Sequence, residues 1–390
     1  MSGVRAPRVL LSVIAATTAG VLPTFLTGGL SVQLRADLGF SETVLGAIVS
    51  ASLATSALAS MSFGHWIEAR GSTASMRTAC LIGAASLSAS ALAPAWPVLA
   101  VTIAAGGLAN ALAQPASNAL VVESVPPRRH AGALGVKQAA IPTATLLAGL
   151  AVPALALTVG WRWAYGAGAL LALGAAAAVP RIDSPRRTAR TASSGRGGDL
   201  AVGALVVLAV GLACGSAVAN SFGAFVTSGA VEAGLSEAAA GTLLAASSAL
   251  GITVRLVVGW LGDRIPHRAF RVVAAMIVGG GIGALLLARG TGTSYVIGSL
   301  VAFGSGWAWP GLFNFGVVAA HRHAPARATS VTQVGAYAGG ALGPLAFGAI
   351  ASGAGYRAAW TIAALVALTA AIVVTVGARS LAARTAEPRA

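Results

Sequence analysis

The chain has 390 residues, of which 56% are hydrophobic and only 9% are charged, whereas an ordinary soluble domain has roughly 25% charged residues. The formal net charge of +15 does not indicate a nucleic-acid-binding protein, because the arginines lie in short connectors between apolar runs instead of clustering on one surface. The composition therefore indicates an all-α, polytopic membrane protein whose surroundings are a lipid bilayer, and it excludes nucleic acid as a partner.

Twelve apolar runs follow one another along the chain, and we expect each to form a transmembrane helix. The first run begins after Arg5 and Arg8 and continues past Pro23, so it is too long for the apolar core of a secretory signal. The predicted spans are residues 8–31, 43–64, 75–93, 97–123, 131–158, 161–180, 200–225, 237–260, 270–288, 293–319, 327–351 and 357–378.

A polar segment separates the first six spans from the last six. We predict an N-terminal six-helix bundle at residues 1–180, a solvated cytoplasmic linker at 181–199 and a C-terminal six-helix bundle at 200–390. The two sets are also related by a repeat, because residues of the same type recur at a constant offset of 195 positions. Such pairs are Ser41 and Ser236, Gly46 and Gly241, Pro115 and Pro310, Gln138 and Gln333, and Gly160 and Gly355. The chain is thus predicted to hold two copies of one module.

The distribution of positive charge predicts the orientation. Nineteen of the 25 cationic residues fall on the side of the termini and the central linker, which the positive-inside rule assigns to the cytoplasm. The heavy use of Ala, Gly and Arg, with a single lysine, indicates a bacterium with a GC-rich genome. We therefore predict a multi-pass protein of the bacterial cytoplasmic membrane, with both termini cytoplasmic, and we expect it to be a monomer.

Two cations fall inside predicted helices. Arg255 lies on the eighth span, about 12 Å deeper than Asp263 at a rise of 1.5 Å per residue, and Lys137 lies at a similar depth on the fifth. A charge at that depth is costly and usually functional, and two positive charges without acids nearby favour an anion as ligand. The alternatives are that backbone carbonyls satisfy Arg255 and that Lys137 extends to the membrane surface.

Several polar side chains are candidates for the lining of a central cavity. Asn110, Gln114 and Asn118 lie four residues apart on one face of the fourth span. Further candidates are Gln138, Gln333, Tyr337, Asn220, Asn314, Trp307 and Trp309. The alternative for each amide is a structural hydrogen bond between helices.

The turn from Gly259 to Arg268, written GWLGDRIPHR, resembles a signature of the major facilitator superfamily, Gly-x-Leu-x-Asp-Arg-x-Gly-Arg-Arg. A weaker copy follows the second span, where Glu68 replaces the aspartate and Ala69 the arginine. The resemblance implies twelve transmembrane helices in two pseudo-symmetric six-helix bundles that move around a central site. It also implies a cytoplasmic latch formed by the acids of the two turns and nearby arginines. The latch residues would be Glu68, Asp263, Arg264 and Arg268, and the alternative is that the acids are merely solvated.

The resemblance further places the fifth and eighth helices on facing walls of the cavity, and with them Lys137 and Arg255. The arrangement is similar to that of organic-anion and monocarboxylate-type carriers. We therefore predict a secondary active transporter that moves a small solute, an organic anion, across the cytoplasmic membrane by alternating access. A coupling proton is left open, because no acid is predicted deep in a span.

Two other functions remain as alternatives. They are proton-coupled efflux of amphipathic drugs and a receptor built on a transporter fold. An enzyme is not expected, because the spans hold no H-E-x-x-H, G-x-S-x-G or paired carboxylates. No cofactor is predicted. ATP-driven transport is excluded as well, because the single lysine follows Val136 and so cannot form a P-loop.

Overall fold

The computed structural model describes residues 5–126, 130–180, 201–262, 268–321 and 325–386. These residues are almost entirely helical and contain no strand. The helices are α1 (Arg5–Gly29), α2 (Ser31–Leu38), α3 (Glu42–Arg70), α4 (Ser72–Ala91), α5 (Trp96–Ser124), α6 (His130–Lys137), α7 (Ala140–Ala151), α8 (Trp161–Ala178), α9 (Val202–Glu232), α10 (Glu237–Gly262), α11 (Ala269–Ala288), α12 (Gly292–Val301), α13 (Pro310–Ala320) and α14 (Pro325–Ala386).

The twelve predicted membrane crossings are confirmed. Within the described ranges, nine helical segments are long and apolar enough to cross a membrane. One of them, Arg327–Ala383, is interrupted at Gly355 (φ 79°, ψ 167°) and therefore contains two crossings. Helices α4 and α8 form the other two, with 20 and 18 residues.

The sequence repeat is visible in the backbone. The side chain of Ser41 accepts a hydrogen bond at the start of α3, and its repeat mate Ser236 does the same for α10. Gly160 and Gly355 both have a positive φ, 102° and 79°, and each lies at the start of the last crossing of its half. Glycine is favoured there because it has no Cβ. The linker at 181–199 lies outside the described residues, so the domain boundaries stay a prediction.

Two spans that the sequence predicts as continuous helices are interrupted. The span 131–158 turns at residues 138–139 between α6 and α7, and it ends in a π-helical turn, Val152–Ala156. The span 293–319 contains a second π-helical turn, Ala302–Gly306, before α13 begins at Pro310. Proline explains both breaks, since Pro142 and Pro310 have no N–H to continue the ladder of helical hydrogen bonds.

Glycines allow the two halves of the chain, residues 5–180 and 201–386, to meet closely on one side of the membrane, where α2 lies and α3 begins. A methyl group added to Gly46 would lie 2.2 Å from the carbonyl oxygen of Pro344, and one added to Gly28 would lie 2.4 Å from that of Gly223. Backbone contact of this kind needs a residue without a side chain. We call this side the closed end.

Hydrogen bonds between the halves reinforce the closed end. The Gln33 side chain donates to Glu237 at 2.6 Å, and the Ser31 and Ser228 hydroxyls lie 2.6 Å apart. The side on which α3 and α10 end is different. Methyl groups added to Gly64 or Gly259 there would meet nothing within 4 Å. We call this side the open end.

Candidate functional site

Lys137 is the last residue of α6, and only 1% of its surface is exposed. Its ammonium donates to the side-chain oxygen of Gln114 at 2.5 Å and to that of Asn118 at 3.0 Å. Both amides belong to α5, in the same half of the chain. The lysine therefore does not extend to the membrane surface, and two members of the predicted amide face on α5 hold it.

Arg255 lies on α10 and is 6% exposed. One terminal nitrogen, Nη1, donates to the backbone oxygen of Gln138 at 2.7 Å, and the other, Nη2, donates to the backbone oxygen of Trp307. Its Nε is buried and has no hydrogen-bond partner. Gln138 belongs to the first half and Trp307 to the second, so Arg255 connects the two halves.

The helix breaks supply the carbonyl groups that Arg255 uses. In a regular helix the carbonyl of Gln138 would accept from the N–H four residues later, but that residue is Pro142. Trp307 lies in the break between the π-helical turn and α13. Arg255 thus satisfies backbone groups that two interrupted helices leave free, one in each half.

Neither cation has an acidic partner among the described residues. The six described carboxylates lie at helix ends or in connectors, and they are Asp37, Glu42, Glu68, Glu123, Glu232 and Glu237. Asp37 is exposed and accepts hydrogen bonds from Arg162 and Trp161, which hold its pKa below the usual value. It therefore stays ionised and is a poor candidate for a coupling proton. The positive charges of Lys137 and Arg255 are solvated only by neutral oxygen atoms.

The other predicted site residues have separate surroundings. Asn110 donates to Ser56 at 2.8 Å, and its side-chain oxygen is buried without a partner. Asn220 donates to the Ser216 carbonyl of its own helix. The side chains of Gln138 and Gln333 are half-buried, and Tyr337 is 36% exposed. Apart from the bond that Arg255 donates to the Gln138 backbone, none of the hydrogen bonds described for these residues reaches Lys137 or Arg255.

The open end holds the predicted latch. The Glu68 side chain is exposed near the end of α3, and Arg268 is exposed at the start of α11. Asp263 and Arg264 lie outside the described residues. The latch therefore stays a prediction.

Aromatic rings border the backbone group that Arg255 uses. The ring of Trp307 contacts Phe25 of the first half, with centroids 5.4 Å apart, and Phe303 of its own half at 5.0 Å. The sequence predicts Trp307 as a site residue but not Phe25. Nor does it predict the hydrogen bond between Thr145 and Ser248, 2.8 Å long, which joins α7 to α10.

Comparison with known proteins agrees with this architecture. A model of the Major Facilitator Superfamily matches residues 9–344. The structure is similar to an inward-facing, unoccupied bacterial homologue of the human lysosomal transporter Spinster (TM-score 0.74, 15% identity, 100% of both chains covered). It is also similar to the D-xylose–proton symporter (TM-score 0.77, 14% identity, 94% of this chain and 96% of that chain). A search of curated proteins finds no match. The chain belongs to the Major Facilitator Superfamily and is a multi-pass membrane transporter, not an enzyme.

Proposed function

We propose that this transporter carries a small organic anion and that Lys137 and Arg255 attract it. The supporting observation is that both side chains are buried and that, within the described part of the chain, their hydrogen bonds go to neutral oxygen atoms. Amide and carbonyl oxygens satisfy N–H groups, but they do not cancel the charge. A buried ion without a countercharge is unfavourable, so a negatively charged cargo gains more binding energy here than a neutral one.

Arg255 is suited to a carboxylate. Its guanidinium already donates from two nitrogens, and the buried Nε has no partner. A carboxylate can accept two parallel hydrogen bonds from a guanidinium, and such charge-assisted bonds are stronger than bonds to neutral carbonyls. Binding would therefore use the N–H of Nε together with an N–H of Nη2, the terminal nitrogen on the same edge of the guanidinium, and need not displace the Gln138 carbonyl from Nη1.

The arrangement of the halves supports entry from the open end. Hydrogen bonds and glycine contacts join the halves at the closed end, and the structure is similar to an inward-facing bacterial homologue of Spinster. With cytoplasmic termini, as the distribution of arginines predicts, the open end faces the cytoplasm. Alternating access would then exchange this inward-facing arrangement for one that is open on the other side.

Efflux of an amphipathic drug is the second candidate function. The contact of Phe25 and Phe303 with Trp307 favours it, because aromatic rings beside a polar group are typical of sites for such compounds. The cations distinguish the two candidates. A carrier of cationic or neutral drugs does not need two uncompensated positive charges, whereas an anion carrier does.

Thermal unfolding of the purified protein tests the proposal. We expect small carboxylates or cyanate-like anions, and not cationic antibiotics, to stabilise the wild-type protein by about 2.7 kcal/mol at a hundred times the dissociation constant. The stabilisation should disappear in Arg255→Gln and persist in Arg289→Gln, which changes an exposed arginine of a connector. Equal stabilisation of Arg255→Gln and the wild type would contradict the proposal.

A further inference from the structure

A second polar site lies at the closed end, away from the two interior cations. A cavity of about 470 Å³ separates the first half from the second there, and no residue of the proposed anion site lines it. Its wall includes Arg35, Glu42, Glu232 and Tyr356. The residues of its wall come from both halves of the chain.

Glu42 is the single buried carboxylate among the described residues, with 6% of its surface exposed. One of its oxygens, Oε1, pairs with Arg35. The other, Oε2, is buried, and the hydroxyl of Tyr356, which is also 6% exposed, interacts with this carboxylate from the second half. The second half therefore shields the carboxylate from water at the closed end.

The groups that face Glu42 come from both halves. Arg35 on α2 belongs to the same half as Glu42, so their ion pair can persist when the halves separate. Glu232 on α9, Tyr356 on α14 and Tyr295 on α12 belong to the other half. The backbone of Glu42 also contacts Gly348, where an added methyl group would lie 2.4 Å from the Glu42 carbonyl oxygen. Opening of the closed end must therefore remove the contacts of Glu42 with the second half, whereas its ion pair with Arg35 can remain.

We propose that Glu42 binds a proton from the outer solution and that this proton stabilises the closed end. In the closed arrangement burial has the largest effect on the Glu42 carboxylate and disfavours its ionised form, as does the negative charge of Glu232, whereas the Tyr356 hydroxyl and the ion pair with Arg35 oppose this effect without cancelling it. In an open arrangement water would hydrate Glu42, and Glu232 would move away with the second half. The proton binds more tightly to the closed form, so by linkage it shifts the equilibrium towards that form. The proposal does not depend on the cargo being an anion.

The distance between the halves at the closed end measures this effect. Spin labels at Ala36→Cys and Ala354→Cys, two exposed positions on opposite halves, would report it once Cys80 and Cys214 are replaced by alanine. The protein would be placed in liposomes without substrate, the internal pH held at 7.5 and the external pH lowered from 8 to 5. We expect the short-distance population to increase several-fold as the external pH falls. No change with external pH would overturn the proposal.

Two variants assign the effect to Glu42. Glu42→Gln, a neutral side chain of the same size, should keep the short distance at every pH. Glu232→Gln removes the neighbouring negative charge, so the midpoint should move to lower pH by roughly half a unit. This second variant keeps the proposal testable if Glu42→Gln does not fold. A Glu42→Gln protein that retains the wild-type pH dependence, or an unchanged midpoint in Glu232→Gln, would assign the effect to another group and overturn the proposal.

Discussion

Arg255 and Lys137 are both buried cations that hydrogen-bond to neutral oxygen atoms, but the origin of those atoms differs. Lys137 is held by Gln114 and Asn118 of its own half, so its surroundings can move with it as one body. Arg255 is held by backbone carbonyls from both halves. A rocking motion of the halves must therefore change the hydrogen bonds of Arg255, whereas those of Lys137 can stay intact.

This difference suggests separate contributions to transport. Lys137 provides a positive charge that stays fixed within the first half. Arg255 provides a charge and also a connection between the halves through the Gln138 carbonyl, so an anion that pairs with its guanidinium would bind the group whose hydrogen bond the moving halves must break. Binding of cargo and movement of the halves would then be coupled through one side chain.

The largest effect is expected for Arg255→Gln. The glutamine loses the charge and leaves backbone carbonyls in both halves without a donor, so we expect anion transport to fall by about 100-fold, in line with the loss of one partner of a buried charged hydrogen bond. Flux into liposomes measures the change. Arg255→Lys should recover only part of the loss, because an ammonium cannot donate to both carbonyls in the same geometry. Full recovery by lysine would show that the connection between halves is unimportant.

Lys137→Gln should have a smaller effect. The substitution removes a charge but breaks no hydrogen bond between the halves, so transport should fall roughly tenfold and the distance between the halves should be unchanged. Flux and spin-label distances on the same variant would measure both quantities. A change in the distance would contradict the assignment of Lys137 to one half alone.

Gly46→Ala tests whether transport requires the close contact between the halves at the closed end. The added methyl group would lie 2.2 Å from the Pro344 carbonyl oxygen, so the halves should be forced apart and transport should fall several-fold. The same substitution at Gly174 is the control, because nothing lies within 4 Å of that position. Reduced hydrogen-exchange protection of residues 223–230 in Gly46→Ala alone would support the expected separation, and equal protection in both variants would argue against it.

Pro142→Ala should have the smallest effect of the four. Alanine restores an N–H that can donate to the Gln138 carbonyl, so the helix would compete with Arg255 for this acceptor. We expect transport to fall two- to threefold and the amides near residue 142 to exchange more slowly with solvent. Faster transport would indicate that the connection limits the rate instead of supporting it.

The sequence predicts the architecture well because membrane crossing depends on the length of apolar runs, which local composition records. It also places Lys137 and Arg255 at depth, since helical rise converts residue number into distance. The alternative that backbone carbonyls satisfy Arg255 agrees with the structure, but the sequence did not identify which carbonyls these are. Gln138 was predicted for its side chain, whereas its backbone carbonyl binds Arg255. Pro142 could have indicated this, because a proline four residues later leaves the Gln138 carbonyl without its helical donor.

Glu42 shows a different limit of sequence reasoning. It stands just before the predicted span 43–64, so the sequence predicts a solvated acid outside the membrane. Its burial results from the approach of α14 through Gly348, about 300 residues away in the chain. No local pattern encodes such a long-range contact, because it depends on how the two halves meet.

Uptake of a radiolabelled carboxylate into liposomes, chosen as the anion that most stabilises the purified protein, tests the central claim most directly. If interior positive charge attracts the cargo, Arg255→Gln and Lys137→Gln should each lose most of the uptake, and Arg289→Gln should retain it. Wild-type uptake by both interior variants would show that the cargo does not need these charges and would contradict the account.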